Sequence, residues 1–128
     1  MPRSNKSETQ SPAWPWPNSL DALVAAPKHH SLLLENDHVR VVHTHIRLGD
    51  LVPLHTHRWP GVVYMLSWSD FVRRDEKGNV LFDSRLGPPS HKVPAVQWIE
   101  PLPPHSVENV GDADISMYIV EVKNPSEK

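Results

Sequence analysis

The 128-residue chain contains no cysteine. That absence excludes disulfides, iron–sulfur clusters, cysteine-rich zinc sites and a thiol nucleophile, so any metal chemistry must run on imidazole and carboxylate. Glycine is scarce, at 5 residues against 14 prolines. Such a chain suits short strands joined by stiff connections better than long helices. An excess of one charge is missing too: 13 Lys and Arg stand against 15 Asp and Glu, a formal net charge of -2. Neither sign is gathered into a block, which argues against a nucleic-acid partner and a polybasic membrane surface. No apolar run is long enough to span a bilayer, and the N-terminal MPRSNKSETQSPAWPWPN lacks the apolar core of a signal peptide. A soluble, cytoplasmic protein is the expectation.

The length suits one domain with a single core. Residues 1–18 read as a flexible Pro/Trp-rich arm, because Pro12, Pro15 and Pro17 forbid a helix ladder. Residues 19–128 then form the domain. Trp14 and Trp16 are costly to leave in water, so they are expected either to dock on this domain or a second subunit, or to sit in a partly ordered tail. NSLDALVAAP predicts one short helix, with Asn18 or Ser19 as N-cap, Asp21 in the first turn and Pro27 as the stop. After it, HVRVVHTHIR, VVYMLSW, DFVRRDE, NVLFDS, AVQWIE, SVENV and DISMYIVEVK are rich in Val, Ile and aromatics and bounded by turn residues. They predict an all-β sandwich or barrel. Lys77, Gly78 and Asn79 supply the turn of one clear hairpin. The segment SRLGPPSHKVP, residues 84–94, is a long loop placed to cover or border a site.

The chain holds 9 histidines. His29, His30, His38 and His91 fall at the helix exit or in loops, where solvated histidine is the ordinary reading. His43 and His45 share one face of a strand whose other face, Val42, Thr44 and Ile46, makes the better core set. They read as surface or subunit-contact residues. His55 and His57 have the same spacing but precede an apolar strand and follow a Gly-Asp turn and Pro53. At roughly 3.3 Å per residue they stand about 6–7 Å apart, close enough to share one metal ion. His105, after a proline-stiffened corner at the head of another strand, supplies a third imidazole from a distant part of the chain. Asn109 shares its side of that strand.

These residues resemble the two motifs of the cupin superfamily, small jelly-roll β-barrels. Gly49, five residues, and then His55-Thr56-His57 match the start of the first motif. Pro101, His105 and Asn109 match the second. The resemblance covers about residues 36–122 and implies a double-stranded β-helix with one short N-terminal helix. The sequence departs from the pattern at the first motif's acid, where Gly61 stands, and at its closing glycine, where Trp68 stands. The second motif's internal glycine also has no match, with Leu102 nearest its place.

By that resemblance the site holds a divalent transition metal (Fe, Zn or Ni) on His55, His57 and His105, with open positions for substrate or dioxygen. Some cupins use a three-histidine iron centre for dioxygenation, and others bind no metal. Strand alternation puts Val63, Met65 and Ser67 on the histidine side, and Val62, Tyr64, Leu66 and Trp68 on the other. Apolar residues on both faces predict a homodimer. Arg58, Trp59 and Trp98 are candidates for the mouth, Arg58 to hold a substrate carboxylate. With Met65 and Asn109 they make up the expected substrate-binding set. Three functions follow: a metal-dependent enzyme on a small organic substrate, with dioxygenase favoured over Zn- or Ni-dependent isomerase or hydrolase chemistry; a non-catalytic metal- or ligand-binding module; and a metal-free jelly roll. Glu108 faces away from His105 by alternation, and Glu100 is the nearest substitute for the missing acid.

Overall fold

Alternating apolar runs bounded by proline and glycine become short antiparallel strands. The computed structural model describes residues 14–87 and 94–123. Among them, a single 3-10 turn (Asn18–Leu20) and a four-residue helix α1 (Ala22–Ala25) precede the strands. The strands are β1 (His30–Glu35), β2 (Val39–Ile46), β3 (Leu51–His55), β4 (Gly61–Ser67) and β5 (Phe71–Arg74). They continue as β6 (Val80–Asp83), β7 (Val96–Ile99), β8 (His105–Asn109) and β9 (Ile115–Val122). Two sheets result, ordered β1-β2-β9-β4-β7 and β3-β8-β5-β6. This is the all-β jelly roll expected from the sequence, and no helix among the described residues is long and apolar enough to cross a membrane.

The sheets face each other over inward side chains at alternate positions. In β2 these are Arg40, Val42, Thr44 and Ile46, all buried, with His43 and His45 turned the other way. In β9, Ile115, Ile119 and Glu121 are the buried set. Ile46, Val52, Ile115 and Ala26 form an apolar cluster, against which Phe71, Val107 and Met117 pack. The β5–β6 hairpin turns through Gly78 at φ 86°, a left-handed conformation that glycine adopts without strain. Asp75 ties that turn by accepting from the backbone N–H of Lys77 and Asn79.

Four expectations change. The helix cap is Asp21, whose carboxylate accepts from Leu23 N at 3.3 Å; Asn18 and Ser19 lie in the 3-10 turn before it. The arm expected through residue 18 is packed from Trp14 onward: Trp14 is buried, donates from its indole to Thr56 Oγ1, and meets Trp16 edge to face. Strand β1 was not legible, because Leu32, Leu33 and Leu34 carry no alternation. It leaves all three exposed at a sheet edge while burying His30. Finally, β4 is irregular: the register slips between Met65 and Ser67. The slip hands Ser67 to Asp114 and turns Trp68 toward the interior. Residues 1–13, and most of the long loop with His91, lie outside the described residues.

Candidate metal centre

The register of the sheets explains why histidines from distant parts of the chain meet. Antiparallel pairing sets His55 of β3 directly opposite His105 of β8. In the other sheet, His30 of β1 stands opposite Thr44, an inward position of β2. His57 lies just beyond β3, after Thr56 bridges to Asp21. One ring nitrogen from each of His30, His55 and His57 can be chosen so that all three lie within 4.8 Å of one another. The ring centroids are 4.9 Å apart for His30–His55, 5.4 Å for His30–His57 and 5.3 Å for His55–His57.

His105 adjoins this group, its ring centroid 4.7 Å from that of His55. The sequence therefore pointed to His55, His57 and His105, whereas the structure gathers His55 and His57 with His30. His30 is 5 % exposed and is not the solvated residue expected. It was missed because the strand that carries it was missed.

Hydrogen bonds orient all four rings the same way. Nδ1 of His30 lies 2.9 Å from Ala26 O, that of His55 2.8 Å from Pro53 O, and that of His105 2.8 Å from Pro103 O. A carbonyl oxygen only accepts, so each of these Nδ1 atoms carries the proton and Nε2 keeps a lone pair. His57 Nδ1 donates to Glu121 Oε2 at 3.1 Å. Each ring thus has Nε2 left for coordination, the arrangement that a metal-bound histidine requires. Burial lowers the pKa of His30 to about 4, with the nearby His57 adding to the effect. Burial, then His57, His105 and His30, lowers that of His55 to about 2. Burial likewise lowers His105 to about 4, with Arg73 contributing. Near neutral pH these three rings are uncharged, as ligands must be.

The missing acid has an explanation in the pairing of β4 with β9, where Gly61 faces Glu121. A Cβ on Gly61 would lie 2.2 Å from Val120 O, so no side chain fits there. The carboxylate near the histidines comes from the partner strand instead. Glu121 is fully buried and accepts from Arg40 Nε at 3.0 Å as well as from His57. Arg40 also holds Asp21 through two bonds of 2.8 and 3.0 Å. This network satisfies a carboxylate that would be very costly to bury alone. Alternation along β9 from Ile115 places residue 121 inward, a signal that was available in the sequence.

The cavity beside the histidines measures about 320 Å³ and has largely apolar walls, including Val52, Val63, Ile115 and Met117. Met65 lines it, as expected, but the other expected substrate contacts do not. Trp98 is 53 % exposed, because alternation in β7 turns its neighbours Gln97 and Ile99 inward. Arg58 stacks on Trp14 and Trp59, each 5.4 Å from guanidinium carbon to ring centroid, outside the cavity. Trp59 packs with it and lies under Arg40 and Lys123. Asn109 is consumed by the backbone: its amide donates to Ile46 O and Ala113 O and accepts from Gly111 N. Glu108 pairs with Arg74 at 2.8 Å. Glu100 reaches the cavity rim, where the Trp98 indole donates to it.

The chain matches no protein-family profile and no curated protein. Solved structures do resemble it. A cupin domain from Bordetella pertussis Tohama I superposes with a TM-score of 0.55 at 16% identity, over 74% of this chain and 92% of that one. An RmlC-like cupin family protein with a double-stranded β-helix fold, from Methanocaldococcus jannaschii, gives 0.50 at 12% identity, over 77% and 82%. The chain has the cupin fold.

Proposed function

We propose that this cupin-fold chain is a metal-dependent enzyme acting on a small organic molecule, with dioxygenase chemistry as the first choice. The observation that carries the reading is the set of inward imidazoles whose Nδ1 atoms are all committed. Imidazole nitrogens suit iron, nickel, copper or zinc. Their fit to such an ion rests on the donor set itself: His30, His55 and His57 would hold it, and Glu121 would orient His57 and raise its basicity. A bound ion would supply Lewis acidity and, for iron, redox chemistry toward dioxygen. Largely apolar walls line the space next to it. Among the described residues no uncommitted carboxylate faces the histidines, since Glu121 is held by Arg40 and His57, and Glu100 by Trp98. That favours redox chemistry over isomerase or hydrolase chemistry, which needs a general base.

The same observation supports a second reading, a metal- or ligand-binding module without turnover. Elemental analysis of untagged protein beside a variant with His30, His55 and His57 all replaced by alanine tests the metal. Near-stoichiometric metal absent from the variant is expected, and none in either protein removes the metal-dependent enzyme and the metal-binding module. Oxygen uptake by the iron-loaded protein over a panel of small organic acids separates them: uptake means turnover, and its absence leaves the binding module.

A cytoplasmic homodimer is part of the proposal. On the outer face of the five-stranded sheet, Tyr64 pairs with both Val96 and Tyr118, and Trp98 adjoins them opposite Val62. All but Val62 are exposed, and adjoining exposed apolar side chains of this kind are what a subunit contact covers. A solution mass equal to one chain removes the dimer.

A further inference from the structure

Among the described residues, one arginine faces the cavity without a counter-charge. Arg73 of β5 lines it, opposite Phe82 of β6 and Val107 of β8, and thus diagonal to His105 two residues before Val107. Its guanidinium carbon lies 5.4 Å from the centroid of Phe71 and 5.8 Å from that of Phe82. Arg74 next to it pairs with Glu108, Arg40 with Glu121 and Arg85 with Asp83. Among the described residues no carboxylate pairs with Arg73, and its Nε is buried without a hydrogen-bond partner. Burial lowers its pKa from the ordinary arginine value, with no opposing charge to restore it.

Among the described residues, two more buried polar atoms of cavity-lining side chains lack partners, the Trp68 indole Nε1 and, on the facing sheet, Thr44 Oγ1. Trp68 sits edge to face on Phe71, 5.4 Å between centroids, which places it beside the aromatic surface that Arg73 covers. A buried donor left unmade is costly, and an unpaired buried cation more so. The register slip in β4 that turns Trp68 inward is thus a local irregularity that adds a donor to the cavity.

We propose that the cavity takes a small monocarboxylic acid with an apolar body, its carboxylate held by Arg73 and the Trp68 indole N–H. The inference deepens the metal-site reading and rests on it for one point, that the reacting end of the molecule lies at the histidines. The guanidinium fork matches a planar carboxylate. One unpaired cation matches one negative charge, and a cavity of about 320 Å³ with apolar walls suits a small apolar body. From Arg73 to His105 the diagonal across neighbouring strands is roughly 7–8 Å, so an acid of modest length bridges anchor and histidines. Arg58, the residue the sequence suggested for this task, is occupied on the outside by two tryptophans.

Phenylacetate and phenylacetamide share a body and differ in charge, and calorimetric titration of each tests the proposal. The protein is used twice, stripped with a chelator and loaded with zinc. The acid is expected to bind at least about tenfold more tightly than the amide in both preparations. Arg73→Met should erase that preference while zinc affinity stays within about twofold, and Arg73→Lys should keep part of it. Trp68→Phe, which retains the ring and removes the N–H, should weaken the acid a few-fold and leave the amide unchanged. Equal affinities in the unaltered protein, no binding of either compound, or a preference that survives Arg73→Met would each overturn the anion site. Failure to bind zinc with the acid preference intact would sink the metal reading and sustain this one.

Discussion

His43/His45 and His55/His57 are two histidine pairs with one spacing, and they differ in which ring nitrogen is spent. In the outer pair Nε2 is engaged, His43 with Ser116 Oγ at 2.8 Å and His45 with Asp114 Oδ2 at 3.0 Å. In the inner pair the bonds go through Nδ1, to Pro53 O and to Glu121. The outer rings stack side by side, centroids 6.0 Å apart with planes 29° from parallel, and use their far nitrogens on neighbouring side chains. The inner rings sit nearly perpendicular, at 81°, with their far nitrogens left over. Spacing alone therefore does not make a metal site. The near nitrogen must be tied by the backbone or a carboxylate so that the other is presented without a proton.

The sharpest way to break that contrast is to remove one ring from each pair. His57→Ala is expected to cost more than about a hundredfold in zinc affinity by calorimetry, beyond the 10–100-fold typical of losing a supporting residue. His43→Ala should leave affinity within about twofold; a comparable loss there would move the metal site to the outer face.

Next comes the support of each pair. Glu121→Gln removes one of the two carboxylates that hold buried Arg40, the two bonds to Asp21 remaining, so urea unfolding should show a loss of about 1–3 kcal/mol. Asp114→Asn, beside exposed His45, should leave the midpoint unchanged. Equal effects would mean that the buried network is not what stabilises this end of the barrel.

Gly61→Ala tests the close approach of β9 and should destabilise by about 1–3 kcal/mol through overpacking. Gly61→Glu, which restores the acid of the cupin motif, should be worse and should not strengthen metal binding. An affinity gain there would show that β9 can yield.

The last effect is graded rather than abrupt. In metal-free protein the inner rings of His30 and His105 titrate near 4, against 6.5 for unfolded histidine. Between those values the unfolded chain binds more protons than the folded one, so stability should fall as pH drops from about 6.5 toward 4 and then level off for these two groups. Chemical unfolding across that range checks it, and a flat profile would mean that the rings are solvated.

The inward and outward faces of β2 were legible, because Val42, Thr44 and Ile46 alternate with polar neighbours. The hairpin at Gly78 was equally plain. His55 and His57 stood out through the motif around them, and the same motif drew attention to His105. Three leucines without alternation hid β1, and with it His30. The slip after Met65 inverted Ser67 and Trp68, since a single extra residue exchanges the faces of everything beyond it. Arg58 and Trp59 were placed at the mouth because they follow a candidate ligand in the chain, and proximity in sequence says little once the backbone leaves the strand.

What the sequence by itself determined is the class of fold and the chemistry open to it: short β-runs between prolines, no thiol, and imidazoles as the available nitrogen ligands. Only the tertiary structure decided which imidazoles meet and what accompanies them. His30, Glu121 and Arg73 come from three different strands, and each acquires its role from the residue set opposite it. Pairing puts His30 across from Thr44, Glu121 across from Gly61, and Arg73 between Phe82 and Val107. Register is a property of the assembled sheets, fixed by the burial of whole faces at once, and no local pattern around any of these three residues contains it.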